Sequence, residues 1–258
     1  TLAKAAASGG RPLETEAKCM ATGAMKGANT TKSYGFIARE EGGNANSGSS
    51  LAVREMLRRR TPMTDPMDAR AAAILFEDAR THQAWTARPV PDDLLVELYE
   101  RLSWAPTSIN SNPGRFVFVK SPEAKQRLAA HLMPMNVEKT LAAPVCAIVA
   151  KDLRFYDLMP QLFPGRPVKA GIEANPALAD TTATRNATLQ GAYLILAARS
   201  LGLDCGPMSG FNQATLDADF FPDGRWKSDF LINLGYGDKE KLWPRNPRLE
   251  FAQACKIA

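Results

Sequence analysis

From Ala69 onward the apolar positions fall into helix-like and strand-like runs. Ala72, Ile74, Leu75 and Ala79 lie near one face of a helix predicted from Ala69 to about Ala79. Pro91 opens a second helix, Asp92 to Ser103, in which Leu94, Leu95, Leu98, Tyr99 and Leu102 recur at helical spacing and two aspartates occupy the first turn. Phe116–Val119 reads as a strand, and Pro122 starts a helix reaching position 133, with Leu128 and Leu132 four apart. Asn136–Ala142 reads as a short helical turn. The run Pro144–Ala150 (PVCAIVA) is continuously apolar, as in a strand covered on both faces. Residues 152–180 read as a long loop, a length typical of a lid or binding loop. Thr181–Leu201 is the longest and most apolar helix, closed by Gly202, and its all-round hydrophobicity predicts a central, buried position. Asp204–Phe211 reads as a Gly/Pro turn, 213–219 as a short helix and Ser228–Tyr236 as a second buried strand. This order of elements predicts an α+β fold, a three-layer α/β/α sandwich.

Residues 1–62 follow no such pattern. They are rich in Ala, Gly, Ser, Thr and Asn; GGNANSGSS (42–50) has linker composition, and LAVREMLRRR (51–60) suits a short basic helix. The expected organisation is therefore a flexible basic extension, 1–62, that need not belong to the fold, followed by one domain, 63–258. Met63 or Met67 would serve as a natural start. Charge supports the division. Of 32 basic and 27 acidic residues, ten and five lie in 1–62, which leaves 22 of each sign in the remainder. The net charge of +5 thus gives no reason to assign the domain a nucleic-acid partner. Four scattered cysteines and two histidines make no metal-ligand spacing, and no apolar run is long enough to cross a bilayer. Reduced thiols and a cytoplasmic location are the expectation. No dinucleotide fingerprint, phosphate loop or nucleophile elbow is present, so phosphate binding would rest on side-chain cations.

The densest polar chemistry lies in the connector Trp104–Arg115 (WAPTSINSNPGR), which places Thr107, Ser108, Asn110, Ser111 and Asn112 between Pro106 and Pro113. Prolines stiffen both ends, and short hydroxyl and amide side chains suit hydrogen bonding to a polyol or heterocycle. The same residues are also ordinary turn formers.

Pro-Thr-Ser-Ile-Asn-Ser-Asn-Pro (106–113) resembles the Pro-Ser-Ser-x-Asn-x-Gln-Pro segment of the nitroreductase superfamily of FMN-dependent oxidoreductases, with Asn112 in place of Gln and Gly114 in place of Trp. The resemblance runs from about Phe76 to Ala254. It is nearest to the branch of malonic semialdehyde reductases of pyrimidine breakdown, through Ala-Arg-Thr-His (79–82), Pro-Gln-Leu-Phe-Pro (160–164), Gly-Pro-Met-Ser-Gly-Phe (206–211) and Leu-Ile-Asn-Leu-Gly-Tyr-Gly-Asp (231–238). It implies a mixed sheet around a central apolar helix and a homodimer with FMN at the subunit interface.

By this resemblance the FMN-binding residues come from several places. Pro106, Thr107, Ser108 and Asn110 would lie beside the flavin. Arg80 would pair with the phosphate through its two-pronged guanidinium, with His82 as a further donor and Gln83 standing where a second cation is usual. Asn136 and Lys139, one helical turn apart, would reach the ribityl chain and ring edge. The backbone of Pro207, Met208, Ser209 and Gly210 would run along the ring, its glycines permitting close approach. Arg245 or Arg248, with Arg248 favoured, would close the phosphate site. In the long loop, Phe155, Tyr156 and Phe163 are candidates for the wall over the flavin site. The implied reaction is ping-pong hydride transfer from NADPH or NADH through FMN, most specifically to malonic semialdehyde, giving 3-hydroxypropionate. A generic nitroaromatic or quinone reductase and a non-catalytic FMN-binding protein stand as alternatives. No catalytic side chain is identifiable, so the acceptor's proton would come from water.

Overall fold

The computed structural model describes residues 66–258, and the expectations for the basic extension lie outside them. Helix α1 (Ala69–Ala72) runs directly into a π-helical turn, Ala73–Glu77; α2 is Asp92–Leu102, and a 3-10 turn, Ser108–Asn110, precedes β1, Gly114–Val119. Then come α3 (Pro122–Ala129), α4 (Pro134–Ala142) and β2 (Val145–Asp152). Two short helices, α5 (Met159–Leu162) and α6 (Lys169–Glu173), lead into the long α7 (Pro176–Ser200). The chain finishes with β3 (Asp204–Met208), α8 (Gln213–Phe220), β4 (Trp226–Gly235) and α9 (Phe251–Ala254).

The sheet has strand order β1-β2-β4-β3, and every named pair is antiparallel. The mixed sheet expected from the resemblance is thus corrected for the described residues; their parallel contact is an isolated bridge, Thr81 to Cys205. The apolar run in β2 explains the layering, because successive side chains point to opposite faces. Val145, Ala147 and Val149 pack with Leu98 and Leu102 of α2 and Leu194 and Ala198 of α7. Cys146, Ile148 and Ala150 face the other way, against Leu128 of α3 and Leu216 of α8. Each of the Val, Leu and Ile side chains contributes roughly 1.5–3 kcal/mol by leaving water, and each alanine methyl about 0.8 kcal/mol. The three-layer arrangement follows.

Three expectations need correction. Residues 152–180 are not an open loop: α5 and α6 fold back so that Phe155, Met159, Ile172, Ala179 and Ala183 form a third core. Phe155 is fully buried there and cannot wall a site; Tyr156 and Phe163 pack against it. Second, α7 starts five residues before Thr181, because Asn175 caps it by accepting from the Leu178 N–H and Pro176 takes the first turn. Its burial is one-sided, leaving Leu178, Leu189 and Tyr193 exposed. Third, 204–208 is a strand rather than a turn. Pro207 is tolerated because β3 is an edge strand, where a missing N–H costs no ladder bond.

Candidate active site

The segment 80–86 is strapped across the end of the sheet. The His82 N–H donates to the Cys205 carbonyl at 3.0 Å, the Thr86 N–H to Tyr236 at 2.8 Å and the Asp238 N–H to Ala84 at 3.0 Å. Trp85 Nε1 donates to the Lys139 carbonyl at 3.0 Å, tying α4 to the same segment. Farther along, Asn136 of α4, buried, donates through Nδ2 to the Gly210 carbonyl at 2.7 Å. These hydrogen bonds set Arg80, His82, Gln83, Asn136 and Lys139 beside the Cys205–Gly210 stretch, a track of backbone that continues β3. From Cys205 to Gly210 it is on the order of 15 Å long at about 3.3 Å per residue.

At one end of this track a cavity of about 380 Å³ is lined by Arg80, Gln83, Arg199, Trp243, Arg245 and Arg248, together with Ala79, Thr81, Pro244 and Asn246; no carboxylate lines it. The four guanidiniums are held by backbone carbonyls instead: Arg80 by Trp243, Arg199 by Leu75, Arg245 by Glu77 and Ala79, and Arg248 by Asn246 and Pro247. Carbonyl oxygens orient an arginine without cancelling its charge, so the cavity lining carries positive charge with no carboxylate to offset it. Both alternatives for the C-terminal arginine line it. Arg245 is the one tied to the 77–79 stretch. Arg199 was missed in the sequence, where a last-turn helix cation reads as ordinary dipole compensation.

Toward the other end, burial lowers the Lys139 pKa from its ordinary value. Met208 is buried, and its sulfur accepts from the Thr140 hydroxyl at 3.7 Å, so this residue offers only backbone to the track. Pro207 and Ser209 are exposed. The glycines serve the protein's own packing: a Cβ on Gly206 would lie 2.5 Å from the His82 carbonyl oxygen, and one on Gly210 2.4 Å from Asn136 Nδ2.

His82 turns inward. It is 3% exposed, its Nε2 lies 3.4 Å from Asp204 Oδ1, and its Nδ1 has no partner and abuts Gly237. Burial lowers its pKa from 6.5, outweighing the opposing pull of Asp204. The folded state then binds fewer protons than the unfolded state below about pH 6.5, so this group's stabilisation is full above that pH and is lost as pH falls through the folded pKa. We expect the wild-type melting temperature to decline more steeply than that of His82→Gln between pH 7 and pH 5; parallel profiles from thermal melts would show that His82 is not the titrating group.

The connector lies elsewhere. Asn186 of α7 accepts from the Ser108 N–H at 2.8 Å, and Gln190 accepts from the Gly114 N–H at 2.7 Å. Asn186 and Arg199 are thirteen residues apart on one helix, about 20 Å along its axis. A single chain therefore does not bring Pro106, Thr107, Ser108 and Asn110 together with Arg80. Thr107 accepts from the Asn112 N–H, and Asn110 donates to the Leu162 carbonyl. Ile109, Asn110 and Asn112 have positive φ of 50°, 55° and 40°. A β-branched residue in that region is a genuine outlier, and such strain concentrates where a loop must present a fixed surface. Cys146 and Cys205 are buried, which pushes both thiols up to about 12 and disfavours the thiolate a nucleophile needs.

Residues 77–236 match the nitroreductase family model. The chain belongs to the nitroreductase family of oxidoreductases. A relative from Rhodopseudomonas palustris, provisionally named NADH dehydrogenase/NAD(P)H nitroreductase, is 63% identical over 71% of this chain and 93% of its own length. A relative of the same name from Stutzerimonas stutzeri is 54% identical over 76% of this chain and 100% of its own. Among solved structures, a nitroreductase-type protein from Exiguobacterium sibiricum in complex with FMN superposes with a TM-score of 0.65, at 21% identity over 76% of this chain and all of its own. At that identity the likeness carries the fold. Among the described residues no helix is long and apolar enough to cross a membrane, and no cluster of potential metal ligands occurs.

Proposed function

We propose that the protein is an FMN-dependent NAD(P)H oxidoreductase. The observation that carries this reading is the cavity of four arginines without a carboxylate, at the head of a track edged by Asn136, Lys139 and the 207–210 backbone. An extended mononucleotide has the matching polarity, a phosphate dianion at one end and a planar, hydrogen-bonding ring at the other. Arg80, Arg245 and Arg248 would hold the phosphate, Asn136 and Lys139 the ribityl chain and ring edge, and Pro207–Gly210 would give the ring a backbone border. When bound, FMN would supply the redox chemistry, receiving hydride from NADPH or NADH and delivering it to the acceptor. Lys139, whose cationic form is disfavoured by burial, gains charge stabilisation whenever negative charge builds up beside it.

Pro106, Thr107, Ser108 and Asn110 would complete the site from a second copy of the chain. Exposed Val96, Tyr99, Trp104, Leu189 and Tyr193 support a homodimer, since large exposed apolar side chains on one molecule mark an interaction surface. We further propose malonic semialdehyde as the acceptor, supported by the 160–164 motif, whose Pro160, Phe163 and Pro164 line a cavity of about 430 Å³ together with Arg166, Lys169 and Glu173, the two cations being suited to a small carboxylate. The names of the relatives favour nitroaromatic acceptors as the second reading.

The test is an anaerobic absorbance spectrum of purified protein, before and after NADPH. A yellow protein bleached by the reductant is expected; a colourless one that takes up no added FMN overturns the reading. Steady-state rates then separate the acceptors, with faster turnover of the semialdehyde expected and faster turnover of nitroaromatics deciding for the alternative.

A further inference from the structure

We propose that Arg199, on the last turn of α7, is a phosphate ligand that replaces the second cation missing from the 79–83 stretch. The inference rests on the FMN reading above and deepens it. Only Arg80 in that stretch carries a full charge, since positions 79 and 83 are Ala and Gln and His82 is turned inward with a depressed pKa. Arg199 comes from a distant part of the sequence and lines the same cavity. It also lines an adjoining hollow of about 510 Å³, together with Arg80, Arg245, Asp78, His82, Asp204 and Lys239, so it stands where the two spaces share a wall.

Its surroundings fix it in place. Nη1 donates to the Leu75 carbonyl at 2.9 Å, in the π-helical turn. Its other guanidinium N–H groups meet no acceptor among the described residues, and a guanidinium has five N–H donors in a rigid fork. The side chain is half-buried, so its ordering entropy is already met and its field is less screened than that of the exposed Arg245 and Arg248. Arg199 also lies in the last turn of α7, where a cation offsets the negative end of the helix dipole. This last interaction also gives Arg199 a purely structural reading, and the experiment must distinguish the two.

The distinguishing readout is selectivity between FMN and riboflavin, which differ only in the phosphate. The full chain and its Arg199→Gln and Arg199→Lys variants are titrated with each flavin, following flavin fluorescence, and inorganic phosphate is added as a competitor. Wild type should prefer FMN strongly. Arg199→Gln should raise the FMN dissociation constant about tenfold to a hundredfold, the worth of one charge-assisted contact, and leave riboflavin within about twofold. Arg199→Lys, which keeps the charge and loses the fork, should fall between the two, and it decides the matter if Arg199→Gln does not fold. An unchanged FMN-to-riboflavin ratio in the folded variants, or an equal loss for both flavins, overturns the role of Arg199 and leaves the FMN reading standing. Wild type that binds neither flavin overturns both.

Discussion

Gly206→Ala is expected to cost about 3 kcal/mol and to abolish flavin binding in whatever fraction still folds, the stability loss being what overpacking against rigid backbone plus a lost buried hydrogen bond produces. The added Cβ would sit 2.5 Å from the His82 carbonyl oxygen, with Trp85 Cζ2 at 3.3 Å and Asn233 Cβ at 3.5 Å closing the remaining directions. The carbonyl belongs to backbone pinned by the His82-to-Cys205 hydrogen bond and the Thr81 bridge, so the segment must lift away as a unit. Arg80 would lift with it, and the arginine cavity would open. Thermal melts with FMN titration check both halves. Gly171→Ala is the control: apart from its chain neighbours and its own helix backbone, no atom of the described residues lies within 4 Å of its new Cβ, and it should leave both properties intact. A Gly206→Ala protein with wild-type melting and flavin affinity would refute the packing argument.

Asp152→Ala should destabilise by a similar amount through a different mechanism. Asp152 is 1% exposed at the end of β2 and accepts from Arg115 Nη2 at 2.6 Å, Arg225 Nε at 2.9 Å and Nη2 at 3.0 Å, and the Arg154 N–H at 2.9 Å. Removing it takes the carboxylate partner from two guanidiniums and the acceptor from the part-buried Arg154 N–H together. Breaking a buried pair costs roughly 3–5 kcal/mol, and the low end applies because Arg225 is 36% exposed and recovers some hydration. At about 2–4 °C per kcal/mol for a domain of this size, the melting temperature should fall by roughly 6–12 °C. The arginine cavity shares no residue with this triad, so the preference for FMN over riboflavin, measured well below the transition, should hold. A drop of under about 2 °C would mean that the arginines find solvent as good a partner as the carboxylate.

Much of the fold was legible because β2 and α7 carry their burial in plain composition. An uninterrupted PVCAIVA is typical of a strand covered on both sides, and Pro122 and Pro91 mark helix starts by chemistry alone. The misreadings have local causes. Asn175-Pro176 looks like a loop until Asn175 is found capping α7, and Pro207 suggests a turn until the strand proves to be at an edge. The candidate site was legible only as a set of residues. Arg80, Asn136, Lys139 and 207–210 share one track, whereas Pro106–Asn110 sit at the far end of α7, because spacing along a sequence says nothing about which end of a helix two segments occupy. Arg199 was invisible for the converse reason, its meaning lying entirely in its neighbours. The glycines at 206 and 210 were read as points of close approach to a ring; the close approach the structure shows is by the chain itself.

The edge position of Pro207 has a further consequence. With no amide hydrogen there, and the 80–86 strap bridged to Cys205, the β3 side of the sheet offers an incoming strand no continuous row of donors and acceptors. On the opposite border β1 pairs only with β2 among the described residues. Any growth of this sheet by foreign polypeptide, whether orderly recruitment or fibrillar misassembly, is therefore directed to a single flank. A charged or proline substitution along 115–119 would be the place to block it.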